Sequence, residues 1–173
     1  MGSEQRAVIH DRFSPAELFA GLAFAIREHA GTGRLPAQVD RASPLGPLLM
    51  PLEDPEIDRV SREQAFGLAG DAVRFLSTEG SLPPWLVVDS ARIGTGSLLA
   101  LFSGMFLDLA AGEAPESYQV MAFEAWPREH DGEIVRRVES YKDWPVHRRD
   151  LDMRRIVEFT RLQLWTLKPA FER

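Results

Sequence analysis

The sequence predicts an α+β fold that is mostly helical: a duplicated helix-turn-strand-helix unit packed with a short antiparallel strand set and a C-terminal helix. Three observations predict it, namely two capped helix patterns at a fixed spacing, an apolar β-branched run between helix patterns, and a final amphipathic pattern. The 173 residues suit a single domain. We predict one domain over residues 1–173, with repeat copy one at 13–60, copy two at 61–111, and a strand-rich segment plus helix at 118–168.

The repeat is a shift of 47 residues that aligns two helix starts and two helix ends. Ser14 with Glu17, and Ser61 with Gln64, are capping-box patterns, in which both side chains satisfy free N–H groups at a helix start. The identical pairs are Ser14 and Ser61, Phe19 and Phe66, Ala25 and Ala72, Arg27 and Arg74, Gly33 and Gly80, Leu35 and Leu82, and Pro36 and Pro83. The alignment predicts helices over 14–31 and 61–78, each ended by glycine and followed by a Leu-Pro turn.

The two copies differ after this turn. In copy two, residues 85–88 are apolar and β-branched and predict a strand, residues 89–92 predict a turn, and residues 97–111 predict a buried helix. In copy one, three prolines between 44 and 51 predict a short helix or an irregular loop. Strand and helix spacing predicts these core residues in copy two: Leu82, Leu86, Val88, Leu98, Leu101, Phe102 and Phe106.

The last third of the chain combines strand-like and helix-like patterns. Residues 118–126 alternate and predict a strand, while residues 133–142 fit either a strand or a short helix. Over 150–168 a helical stripe is formed by Met153, Ile156, Val157, Thr160, Leu164 and Leu167. Because Trp165 falls outside this stripe, we expect the strands at 118–141 to cover it, with a homodimer through this helix as the alternative.

Charge and composition argue against several classes of function. The net charge is −6, whereas nucleic-acid binding needs a basic surface. The absence of cysteine excludes disulfides and thiolate sites. The most apolar stretch, 97–111, is shorter than the roughly 20 residues of a membrane span, and no apolar export signal follows the first residues. We therefore expect no nucleic-acid or membrane partner and, as the chain stands, a cytoplasmic location.

The sharpest cluster of reactive side chains surrounds His130. Asp131 follows it directly, and carboxylates beside an imidazole can fix its tautomer or complete a metal site. Since no metal-binding motif is present, a solvated charged turn is the favoured interpretation and we expect no cofactor. A small metal-dependent or acid/base hydrolase that uses His130 with Asp150 or Asp152 is the alternative function.

Residues 93–97 read Ile-Gly-Thr-Gly-Ser at a predicted helix start, where N–H groups favour anions. The segment lacks the complete phosphate-loop pattern. Thr95 or Ser97 as the helix N-cap is therefore the favoured interpretation, and an anion site is the alternative.

Tryptophans near prolines or charges are candidate ligand contacts, although core packing is their ordinary role. The candidate ligand-binding residues are Trp126, His130, Asp131, Trp144 and Trp165. The strongest patterns in the chain are caps, turns and core positions, which all concern scaffolding. We therefore expect a non-catalytic binding or assembly module with a polysaccharide or protein ligand.

The most repeat-like segment is residues 80–88, Gly-Ser-Leu-Pro-Pro-Trp-Leu-Val-Val, followed by Ile93, Leu98, Leu99, Leu101 and Phe102. Copy one offers Gly-Arg-Leu-Pro-Ala-Gln-Val at 33–39. Over about residues 13 to 108, this order of elements resembles the pseudomurein-binding repeat of archaeal cell-wall proteins. The resemblance implies that the module binds a cell-wall polymer.

Overall fold

The computed structural model describes residues 13–128, 131–140 and 153–167, and within them it contains five α-helices and two small antiparallel sheets. The helices are α1 (Pro15–Thr32), α2 (Arg62–Glu79), α3 (Thr95–Ala110), α4 (Asp131–Ser140) and α5 (Met153–Gln163), the last continued by a 3-10 turn, Leu164–Thr166. The strands are β1 (Arg59–Ser61), β2 (Trp85–Val88), β3 (Ala91–Gly94) and β4 (Ser117–Gln119). The predicted α+β, mostly helical class is confirmed.

The helices α1 and α2 have the predicted caps at both ends. Ser14 Oγ accepts a hydrogen bond from Glu17 N at 3.2 Å, and Ser61 Oγ accepts one from Gln64 N at 3.2 Å, with the reciprocal bonds also present. Both helices end at a glycine in the left-handed conformation, with φ of 72° and 66°. The predicted helices are therefore confirmed, and α2 begins and ends 47 residues after α1. That the two units arose by duplication stays a prediction.

The segments after the two glycines differ as the prolines predict. Residues 33–58 of copy one form an irregular loop, joined to copy two by a parallel bridge between Leu45 and Ser81 and by hydrogen bonds between Glu56 and Arg92. In copy two, β2 and β3 form a hairpin. Its turn is shorter than predicted, because Asp89 and Ser90 both adopt positive φ, of 48° and 70°, as in two-residue hairpin turns.

The core lies between α1, α2 and α3. At its centre the rings of Phe19 and Phe102 lie with centroids 5.4 Å apart and planes tilted by 59°. Five predicted core residues are buried: Leu82, Leu86, Leu98, Leu101 and Phe102. Val88 and Phe106 are only half-buried. Val88 is the last residue of β2 before the turn, and Phe106 lines an open groove described below.

The predicted strand over 118–126 is wrong beyond Gln119. β4 pairs with β1 over three residues only, because Gln119 faces Arg59, the first residue of β1, and the chain before Arg59 is an irregular loop. Beyond Gln119, the contact between the two chain segments consists of isolated hydrogen bonds, from Val120 N to Asp58 O at 2.8 Å and from Phe123 N to Glu53 O at 3.1 Å. For 133–142, the helix alternative is confirmed over Asp131–Ser140.

The stripe predicted for the last helix is not its most buried face. Of its six members, only Leu164 is buried and Leu167 is 45% exposed; the half-buried members are Met153, Ile156, Val157 and Thr160. Outside the stripe, Leu162 and Trp165 are 3% and 2% exposed. The chain tightens into a 3-10 turn at Leu164, which changes the rotation per residue. Both Leu164 and Trp165 are consequently turned into the core.

Candidate functional site

An open groove lies between α1 and the irregular segment 36–42 that follows it. Its volume is about 320 Å³. Its walls are formed from α1 by Leu18, Gly21, Leu22 and Ala25, from α3 by Phe106, and from the opposite segment by Pro36, Val39 and Ala42. Most of the lining is therefore apolar.

The floor of the groove is open because of Gly21. A Cβ added to Gly21 would have no heavy atom within 4 Å. Leu18, Leu22 and Ala25 lie on the same face of the helix, at i, i+4 and i+7. At 1.5 Å per residue, the groove extends about 10 Å along α1 from Leu18 to Ala25.

A buried carboxylate closes one end of the groove. The side chain of Glu17 is 3% exposed. Its Oε2 accepts a hydrogen bond from Ser14 N at 3.0 Å, and its Oε1 accepts bonds from Arg41 Nε at 3.0 Å and Ser43 Oγ at 3.2 Å. Glu17 thus caps α1 and ties the opposite wall to the helix.

The charges that line the groove do not balance. Arg41 and Glu17 form an ion pair at 3.0 Å, in which their charges compensate each other. Asp40 also lines the groove, is exposed, and makes no ion pair within the described part of the chain. One negative charge therefore remains among the lining residues that the structure describes.

Trp126, a predicted ligand contact, is held by cations of the protein itself. The guanidinium carbons of Arg128 and Arg161 lie 5.1 Å and 4.7 Å from its ring centroid, which is cation–π distance. Arg128 also forms ion pairs with Glu53 and Glu124. The ring is half-buried in this network.

Trp165, the second predicted contact, lies in the core of a single chain. It is 2% exposed, and its indole Nε1 donates a hydrogen bond to the carbonyl of Ala125 at 3.0 Å. On another side Gly46 approaches so closely that an added Cβ would lie 3.1 Å from the Trp165 Cβ. Internal burial is confirmed, but irregular backbone at Ala125 and Gly46 provides it in place of strands. The homodimer stays a prediction.

Trp126 and Trp165 both adjoin Ala125, the first as its neighbour in the chain and the second through the hydrogen bond to its carbonyl. The side chains of the other candidate ligand residues are not described by the structure. His130 and Trp144 lie outside the described residues. Asp131 is the first residue of α4, but its side chain is outside the described part. Asp150 and Asp152, which the hydrolase alternative needs, are likewise outside it. Among the residues described, no group of three or more His, Asp or Glu side chains could hold a metal ion.

The start of α3 differs from the favoured prediction for residues 93–97. The N-cap is Gly94, so Thr95 and Ser97 are not caps, and Thr95 Oγ1 instead donates to Pro83 O at 2.5 Å. Carbonyl oxygens crowd the helix start, since an added Cβ would lie 2.0 Å from Leu52 O at Gly94 and 2.3 Å from Glu124 O at Gly96. The anion site at this helix start stays a prediction.

Sequence reasoning missed the groove. One local signal was available, since Gly21 stands in the middle of a strong helix pattern, where glycine costs about 0.5–1 kcal/mol relative to alanine. A glycine at such a position leaves a gap in the side-chain surface of the helix. The second wall, at 36–42, carries no comparable signal.

Comparison with known proteins gives no relationship on which function could rest. No family model matches the chain, and no curated protein or solved structure is significantly similar to it. No helix in the described ranges is long and apolar enough to cross a membrane.

Proposed function

We propose that this protein is a non-catalytic binding module and that the groove between α1 and residues 36–42 is its ligand site. The observation that carries the proposal is the open space above Gly21 within an apolar groove of about 320 Å³. Ligand pockets typically measure about 300–1,000 Å³ and are lined mainly by apolar side chains with a few polar groups.

The apolar walls favour an occupied groove. Leu18, Leu22 and Phe106 are half-buried, so part of their apolar surface faces water in the free protein. Burial of apolar surface contributes roughly 25 cal/mol per Å². An apolar group placed over Gly21 would gain this contribution from both walls at once.

The polar groups of the groove suit binding better than catalysis. Both carboxylate oxygens of Glu17 already accept hydrogen bonds. In the part of the chain that is described, the lining contains no His, Ser, Thr or Cys side chain. Among these residues there is therefore no candidate for an activated hydroxyl, thiol or imidazole nucleophile.

The resemblance to the pseudomurein-binding repeat extends the proposal to a cell-wall polymer as the natural ligand. A sugar would require polar partners for its hydroxyl groups, and the groove supplies them near Gln38, Asp40 and Arg41. The floor would take an apolar part of such a ligand.

The test fills the groove without disturbing the helix. In Gly21→Leu the new side chain occupies open space. The matched control is Gly67→Leu in α2, where glycine is exposed and an added Cβ also meets nothing within 4 Å. Both substitutions replace a helical glycine by a better helix former, so both variants should be folded by circular dichroism and at least as stable as the wild type.

The probe is N-phenyl-1-naphthylamine, a neutral dye whose fluorescence rises when it leaves water. We expect saturable binding to the wild type and to Gly67→Leu, and binding weakened about tenfold or more in Gly21→Leu, because the leucine occupies the dye's place. Equal binding by the two folded variants, or no saturable binding by the wild type, would contradict the proposal.

A further inference from the structure

We infer that the groove takes a small amphipathic amine, a molecule with an apolar chain and a cationic head group. This inference rests on the proposed function of the groove as a ligand site, and it assigns that site a small molecule in place of the cell-wall polymer that the repeat resemblance suggests. It follows from the charges of the lining and from the dimensions of the floor.

The negative charge of Asp40 has no counterion among the described residues of the groove. Arg41 directs Nε and Nη2 to the same oxygen of Glu17, both at 3.0 Å, so the one cation of the lining, as far as the structure describes it, is compensated by a buried carboxylate. A bound carboxylate would therefore meet a compensated guanidinium and an uncompensated Asp40. A bound ammonium would be attracted by the uncompensated charge of Asp40 and is therefore favoured by Coulomb interaction.

The protein as a whole is negatively charged, like the groove. The chain carries a net charge of −6, which attracts cations over a Debye length of about 10 Å at 0.1 M salt. The floor is apolar at Leu18 and Leu22, and the opposite wall carries the carboxylate of Asp40. A ligand that is apolar along most of its length and positive at one end complements both features.

The floor suits one short chain. About 10 Å of α1, from Leu18 to Ala25, is open to the ligand. This length accommodates an extended alkyl chain of medium length or a single ring system. We therefore assign the groove to a small molecule.

The experiment compares three ligands that share one chain and differ in the head group: octylamine, octanol and octanoate, each displacing N-phenyl-1-naphthylamine at pH 7 and low ionic strength. Octylamine is expected to bind about three- to fivefold more tightly than octanol, as for an exposed ion pair, and octanoate more weakly than octanol. The preference should shrink in 1 M salt, where the Debye length is about 3 Å.

Two variants locate the charge that is responsible. Asp40→Asn should abolish the preference for octylamine over octanol and leave octanol affinity unchanged. Asp54→Asn, an exposed aspartate outside the groove lining, removes the same charge from the protein and should keep the preference.

Different outcomes would contradict the assignment of an amine ligand and the proposed function as a binding module. If the three ligands compete with equal affinity, if octanoate binds most tightly, or if Asp40→Asn keeps the preference, the amine assignment is overturned while the groove stays a binding site. If none of the three displaces the dye, or if Gly21→Leu binds all of them like the wild type, the proposed function itself fails. Concentration-dependent dimerisation that excludes the dye would assign the groove to a second copy of the chain and overturn the inference.

Discussion

Replacement of Phe102 by alanine tests the packing on which the three-helix core depends. The ring is 0% exposed, and it lies 5.4 Å from the ring of Phe19 at an angle of 59°. Removal of a fully buried phenylalanine side chain costs about 3–5 kcal/mol, from lost transfer free energy and from the cavity left behind. The aromatic pair accounts for about 0.5–1.5 kcal/mol of that cost. Against a typical domain stability of about 5–15 kcal/mol, Phe102→Ala should leave a marginal protein.

The assay is equilibrium unfolding in urea at 25 °C, read by circular dichroism, with a thermal melt alongside it. At about 2–4 °C per kcal/mol for a chain of this size, Tm should fall by about 6–20 °C. The control is Leu107→Ala on the same helix, where the side chain is 67% exposed and the change should stay within about 0.5 kcal/mol. A double-mutant cycle with Phe19→Ala should give a coupling of about 0.5–1.5 kcal/mol. A loss below 1 kcal/mol for Phe102→Ala would refute the assignment of α3 to the core.

Two further predictions concern single hydrogen-bonded side chains. Trp165→Phe keeps an apolar ring but removes the donor to the Ala125 carbonyl, so the free energy of unfolding should fall by about 1–3 kcal/mol with no change of mass in solution; a fall below about 0.5 kcal/mol in urea melts would contradict internal packing. Hydrogen bonds from the side chain and then the backbone of Arg92 lower the pKa of Glu56 in the folded state. The ionised carboxylate therefore stabilises the fold above its unfolded-state pKa, and this contribution is lost as pH falls through the lowered pKa. Melts across acidic pH should show that Glu56→Gln is less stable than the wild type at neutral pH and that the gap closes in acid, whereas a gap independent of pH would be inconsistent with this linkage.

The sequence by itself determined the features that depend on neighbours a few residues apart. Ser14 and Ser61 cap helices through hydrogen bonds to residues three positions on, and Gly33 and Gly80 end them with a positive φ that few other residues adopt at low cost. Strand β2 and the irregular proline-rich loop follow from local preferences in the same way, whereas the pairing of β2 with β3 was not predicted from the sequence. For these elements the interacting partners are encoded side by side.

Only the tertiary structure decided the features that depend on residues distant in the chain. β4 stops at Gln119 because its partner β1 begins only at Arg59, which faces Gln119, and the chain before Arg59 is irregular. Trp165 lies in the core because the carbonyl of Ala125 and the backbone of Gly46 meet it there. The candidate site arises in the same way, since its opposite wall is held to α1 by the pair of Arg41 with Glu17 across 24 positions of sequence. Periodicity records which face of an element is apolar, but contacts between elements decide which surfaces are covered and leave the groove above Gly21 open.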